Sequence, residues 1–184
     1  RKVEKKGYDD LLDALAALPR ALNWRFEHIG AGGLSDQLKA RAASLGIADR
    51  CVWLGGQPQQ AVFAALARAD LFVLASKRAA DGDQDGLPNV LMEAAHQGLP
   101  VVSTQAAAIG EFIEDGESGL LVPPGAPGDL GAGLARMIAD PDLRQSLARR
   151  AGEVVRTRFS YDAGVDWIAA SLGQHPSASA RAAE

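Results

Sequence analysis

Residues 71–103, LFVLASKRAADGDQDGLPNVLMEAAHQGLPVVS, decide how this chain is read. The run at 71–75 is apolar, of strand length, and rich in Leu, Val and Phe. Segment 76–86 is polar and carries the Gly and Asp residues of turns. Residues 88–97 place apolar side chains at helical spacing, and 100–103 is apolar again. Strand, loop, helix and strand in that order predict parallel neighbours with a helix laid over the sheet.

The same alternation extends in both directions. Leu11, Leu12, Leu15 and Leu18 fall at helical spacing until Pro19. Strands are predicted at 24–29 and 51–54, with helices at 34–45 and 58–68. Beyond 103 come a short helix at 109–113, a strand at 119–122, and helices at 127–139, 142–158 and 161–172. Residues 174–184 turn to Ser, Ala and Pro and are expected to be disordered. The prediction is an α/β, Rossmann-like three-layer αβα domain over residues 1–173, with a parallel sheet and no internal repeat. Such sheets bind ligands outside the carboxyl ends of their strands. That directs attention to 30–33, 55–57, 76–89 and 104–110.

The 184 residues are 47% hydrophobic and 23% charged, enough for a core without disulfide or structural metal. The net charge of −4 and 5% aromatics argue against a nucleic-acid surface, which needs clustered Lys and Arg. A single cysteine, Cys51, fits a reducing, cytoplasmic setting and reads as a small core residue. No apolar run is long enough to span a membrane, and membrane association is not indicated. The chain does not begin with Met and reads as one domain of a longer polypeptide.

Within the central stretch, Pro88 suits a first helical position, with Leu87 before it as a cap lacking a side-chain oxygen. The N–H groups of Asn89, Val90 and Leu91 would then point out of the helix start. Either a diphosphate or water satisfies them. Val90, Leu91, Ala94 and Ala95 form an apolar face, and Asn89, Glu93 and His96 a polar stripe. Glu93 is either a solvated helix residue or an acceptor of sugar hydroxyls. Asp85 is either a turn residue beside Gly86 or a holder of sugar hydroxyls. Residues 30–33, Gly-Ala-Gly-Gly, allow close backbone approach to a ligand or form an ordinary tight turn. Arg1, Lys5 and Lys6 make a basic cluster that can neutralise phosphate if it lies at the ligand edge. Asp81, Asp83, Asp85 and Gly86 imitate the opening of a calcium loop, but Met92 stands where that loop needs Glu. No metal set is found: His28, His96 and His175 are scattered.

These segments, in this order, resemble the C-terminal domain of family 4 retaining glycosyltransferases of the GT-B fold, from Arg1 to about Trp167. Residues 1–7, RKVEKKG, look like that domain's basic loop. Ile29-Gly30-Ala31-Gly32 looks like its second glycine loop. Residues 85–94, DGLPNVLMEA, look like its paired-carboxylate motif, and residues 98–103 and 119–124 like the strands after it. The resemblance implies roles. Arg1 and Lys6 would bind the donor diphosphate, Glu93 ribose hydroxyls and Asp85 the donor sugar. Backbone groups of Leu87, Pro88, Asn89 and Val90 would hold phosphate and sugar. Gly30 and Gly32 would line the nucleotide cleft, and Val52, Trp53 and Leu54 would face the base. The substrate would be a nucleotide-diphosphate sugar such as a UDP- or GDP-sugar, with no metal or other cofactor. The chain departs from the family pattern in Asp85, which stands where the family has Glu. The family's first strand and its N-terminal acceptor domain are not in the sequence. The 161–172 helix resembles the segment that crosses back to that domain. Rival readings are a non-catalytic interaction domain and a nicotinamide-binding Rossmann domain. The latter is disfavoured because Ser35 occupies the third glycine position.

Overall fold

The computed structural model describes residues 2–159. Arg1, the predicted helix at 161–172 and the tail at 174–184 lie outside the described residues. Five strands are found among the described residues: β1 (Phe26–Ile29), β2 (Cys51–Gly55), β3 (Phe72–Leu74), β4 (Val101–Thr104) and β5 (Leu120–Val122). The helices are α1 (Tyr8–Ala16), α2 (Ser35–Ser44), α3 (Gln59–Arg68), α4 (Asn89–His96), α5 (Ile109–Phe112), α6 (Pro127–Ala139) and α7 (Pro141–Arg158). A 3-10 turn, Glu4–Lys6, precedes α1.

All pairings are parallel, as the alternation predicted. One expectation is corrected: the described strands form two sheets, β1–β2 and β3–β4–β5, rather than one. Between them lies a cavity of 940 Å³ lined by both β1 and β3. Gly30 N–H donates to Gly55 O and Phe72 N–H to Pro100 O, so by alternation the peptide groups of Glu27, Ile29 and Val73 point the other way, into this slot.

β4 shows why the chain reads as continuous apolar runs. Val101, Val102 and Ser103 are fully buried and successive side chains serve opposite faces. Val102 joins the core made with α1 and α6 (Leu11, Leu12, Leu130, Leu134). Val101 joins the core made with α4, α5 and α7 (Leu91, Ile109, Phe112, Ala151). The buried hydroxyls are satisfied by the neighbouring strand end: Ser103 Oγ donates to Leu74 O at 2.7 Å, and Thr104 Oγ1 to Ser76 O. Gly131 lets α6 cross close to α1, since a Cβ there would stand 3.2 Å from Ala14 O.

Candidate functional site

The Lys2–Gly7 segment ties the two sheets together at their carboxyl ends. Lys2 N–H donates to Ala31 O just beyond β1, and Lys77 N–H donates to Lys5 O just beyond β3. Two glycines make this possible. A Cβ on Gly32 would stand 2.4 Å from Lys2 O, and one on Gly7 would stand 1.9 Å from Ala75 O. Gly7 also has φ +59, in the left-handed region that glycine tolerates. The basic turn is thereby held at the rim where parallel α/β sheets bind ligands.

At that rim the side chains of Lys5, Lys6, Asp83 and Asp85 meet. Lys6 Nζ stands 2.6 Å from Asp85 Oδ2, close for charge pairing though poorly angled for a hydrogen bond. Lys5 Nζ lies 3.0 Å from Asp83 and 3.3 Å from Asp85. Burial pushes the Asp85 carboxyl up, but Lys6 and then Lys5 outweigh it and hold the group below the usual aspartate value. Glu4 adds a further tie, its carboxylate accepting from Ala80 N–H at 3.0 Å. Lys77 is engaged elsewhere, 2.7 Å from Asp9 and 2.9 Å from Asp10.

The start of α4 opens on the same cavity. Pro88 is the cap residue, with extended φ −71 and ψ 119, and Asn89 is the first helical residue. This corrects the placement of Pro88 inside the helix with Leu87 as cap. Leu91 N–H, expected to be free, donates to Pro88 O at 3.0 Å. No side chain caps the helix, which leaves the Asn89 and Val90 N–H groups as its outward donors. Leu91, Ala94 and Ala95 are buried, as the predicted apolar face requires, while Val90 is half-buried.

The cavity between the sheets brings together Lys6, Asp85, Pro88, Asn89 and Val90. It does not include Glu93, Gly30, Gly32, Leu87, Val52, Trp53 or Leu54 among its lining residues. Glu93 is half-buried, further along α4, and makes no ion pair among the described residues. Leu87 packs on the core beneath α4. Gly30 has φ 146 and its N–H joins the carboxyl end of β2, whereas Gly32 packs against Lys2. Val52 and Trp53 lie on β2, which runs one residue further than predicted to Gly55; Leu54 is exposed. The Trp53 ring packs on Phe26 and His28, with Lys2 Nζ 4.6 Å above it.

Sequence reasoning overlooked the partnership of Lys5 and Asp83. Its only trace in the sequence is the run of alternating acids Asp81, Asp83 and Asp85, which imitates the opening of a calcium loop and does not point to Lys5. Sequence reasoning also overlooked Ala107, which has φ 48 at the carboxyl end of β4, in the left-handed region that L-residues avoid. Burial, more than Asp49, pushes the Cys51 thiol up to about 11, which suits a core residue and not a nucleophile. No helix among the described residues is long and apolar enough to cross a membrane.

A parallel α/β scaffold with lysines, an aspartate and an uncapped helix start on its carboxyl rim defines a Rossmann-like class of domain. More specifically, the chain belongs to the family described as Glycosyl transferases group 1, which matches residues 1–154. It is 35% identical over 176 residues to the lipopolysaccharide core biosynthesis glycosyltransferase LpsE of Rhizobium meliloti, covering 96% of this chain and 48% of LpsE. It is 40% identical over 138 residues to the amylovoran biosynthesis glycosyltransferase AmsK of Erwinia amylovora, covering 74% of this chain and 34% of AmsK. Among solved structures it superposes on Anabaena Alr3699/HepE in complex with UDP, with TM-score 0.81 and 26% identity, covering 94% of this chain and 46% of that one. The chain thus spans about half the length, or less, of the relatives it matches. The fold is the Rossmann-like half of a GT-B glycosyltransferase.

Proposed function

We propose that this chain is the donor-binding part of a glycosyltransferase, and that it grips the diphosphate of a nucleotide sugar at the rim where Lys6, Asp85 and the start of α4 meet. The observation that carries the reading is the convergence of Lys6, Asp85, Pro88, Asn89 and Val90 at one end of the cavity between the sheets, with Lys6 Nζ 2.6 Å from Asp85. A lysine and two outward amide donors suit a diphosphate, and a carboxylate suits sugar hydroxyls. Arg1 would join Lys6 on the phosphates, and Glu93 would reach the ribose. Gly30 and Gly32 would border the nucleotide, with Val52, Trp53 and Leu54 facing the base. A UDP-sugar is the first donor to test, because the Anabaena protein is held with UDP and with UDP-glucose. A GDP-sugar is the second, since a 32%-identical relative from Mycolicibacterium smegmatis is described as GDP-mannose-dependent.

In the whole enzyme the glycosyl group passes to an acceptor with retention at the anomeric carbon. As the bond to the leaving diphosphate breaks, negative charge grows on the phosphate oxygens. Lys6, Arg1 and the helix start stabilise that charge without a metal. Acceptor and catalysis need a second domain, so residues 1–184 alone bind a nucleoside diphosphate weakly and show no turnover. The free, buried Cys51 suits a cytoplasmic enzyme using a cytosolic donor.

Titration calorimetry with UDP and GDP tests this reading. Lys6→Met and Glu93→Ala should each weaken binding by about tenfold or more, as loss of a charge-assisted contact implies. Glu93→Ala should leave stability within about 0.5 kcal/mol, as for surface changes generally. Unchanged affinity in Glu93→Ala would favour a non-catalytic interaction domain.

A further inference from the structure

We infer that Lys5 is a positioning residue of the donor site: it is the standing counter-ion of Asp85, and it lets Lys6 leave Asp85 for phosphate. The inference rests on the nucleotide-binding reading above and assigns a task to a residue which that reading leaves out.

Two lysines meet one aspartate, but they face different ways. Lys6 lines the cavity with Asp85 and the start of α4, and Lys5 does not. Lys5 is instead built into the junction between the basic turn and the loop after β3. Its carbonyl accepts from Lys77 N–H at 2.9 Å. Its ammonium bridges Asp83 at 3.0 Å and Asp85 at 3.3 Å, with the side chain only 14% exposed. The loop it holds is closed on itself, Asp83 N–H donating to Asp81 Oδ1 at 2.9 Å and Ala79 N–H to Asp83 O at 2.8 Å. The neighbouring Glu4 carboxylate fastens Ala80 to the same turn. Lys5 is therefore tied to the loop side of the site through Asp83 as well as to Asp85, whereas Lys6 faces the cavity and pairs with Asp85 alone among the described residues.

Charge explains why both lysines are needed. Without ligand, Asp85 is compensated by Lys6 and Lys5 together. An entering diphosphate competes with Asp85 for Lys6, and once Lys6 has turned, Asp85 stands beside a second anion. A carboxylate so placed is repelled and loses its compensation unless another cation remains. Lys5, shared with Asp83, is that cation. It keeps Asp85 at the rim, where its oxygens can accept from donor-sugar hydroxyls. Removing Lys5 leaves Asp85 wholly dependent on Lys6, which tightens the pairing that phosphate must break.

A double-mutant cycle separates this role from simple structural support. UDP and UDP-glucose are titrated into the 184-residue chain and into Lys5→Met, Lys5→Arg, Asp85→Asn and Lys5→Met/Asp85→Asn, with circular dichroism reporting that each is folded. Lys5→Met should weaken UDP binding by about fivefold, the scale of a partly exposed ion pair, and Lys5→Arg should restore most of it. Asp85→Asn should bind UDP at least as well as the original chain, because Lys6 is released. The double variant should match Asp85→Asn within about twofold, since the uncompensated carboxylate is gone. UDP-glucose should lose its advantage over UDP in all three variants that lack the Lys5–Asp85 pair. Equal weakening of UDP by Lys5→Met in the presence and absence of Asp85 would overturn the assignment, as would Lys5→Met binding both ligands normally. Silence of the original chain toward both UDP and UDP-glucose would instead remove the UDP-donor reading on which the assignment stands.

Discussion

The His28 imidazole is buried among aromatic rings and neither ring nitrogen has a hydrogen-bond partner among the described residues. Burial first, then the Lys2 charge, pushes its pKa down to about 4 from the usual 6.5. The folded value lies below the unfolded one, so the unfolded chain takes up the proton first as pH falls. Stability is therefore complete above about pH 6.5 and is lost progressively toward pH 4, by up to about 3 kcal/mol. Urea melts at pH 7 and pH 4.5 should show the loss, and His28→Phe, which keeps a ring against Tyr8 and Trp53, should remove most of it. Sequence alone showed only that His28 has no metal partner at ligand spacing. Its burial comes from contacts with Tyr8 and Trp53, which lie far from it along the chain. The Lys5–Asp83 pair was illegible for the same reason, since 78 positions separate its members. Asp85 and Lys6 stand out in the sequence one at a time, Asp85 beside Gly86 and Lys6 in a basic cluster, but only the fold shows that they meet.

Single elements were read well where a local signal fixes both ends. α6 occupies the predicted 127–139, because Pro127 opens it and Asp140 leaves helical geometry to cap α7, accepting from Leu143 N–H at 2.9 Å. The start of α4 was misread by one residue. The fixed φ of proline suits the cap and the first helical position alike, and only ψ, 119 at Pro88, tells them apart. Two turns at the rim make opposite predictions. Gly7→Ala forces a Cβ against Ala75 O at a left-handed φ, and should destabilise the chain by about 3 kcal/mol while displacing Lys6 and weakening UDP binding. Ala107→Gly relieves a left-handed alanine at φ 48 and should stabilise by about 0.5–1 kcal/mol, the left-handed cost less the entropy of glycine. Thermal melts of the two variants should therefore move in opposite directions.

At the scale of the molecule, the apolar runs foretold parallel strands with helices on both faces, but not that the described strands form two sheets. Apolar periodicity reports which residues are buried and says nothing of which edge meets which. β4 is paired on both sides, with β3 and β5, whereas β1 and β3 each keep one edge turned to the cavity between the sheets. Amide exchange should follow that difference. The Val102 and Thr104 amides, within the three-stranded sheet, should open only with most of the fold, and the Glu27, Ile29 and Val73 amides, facing the slot, should exchange much sooner. The slot ends at Lys6, Asp85 and the outward N–H groups of α4, so a bound diphosphate acts on one of its walls. Saturating UDP should slow exchange at Asn89 and Val90, where phosphate oxygens accept the amide protons, and should leave Glu27 as fast as before. Protection that instead spread evenly over both sheets would mean that UDP stabilises the whole domain without touching the start of α4, contrary to the site built from Lys6 and Asp85.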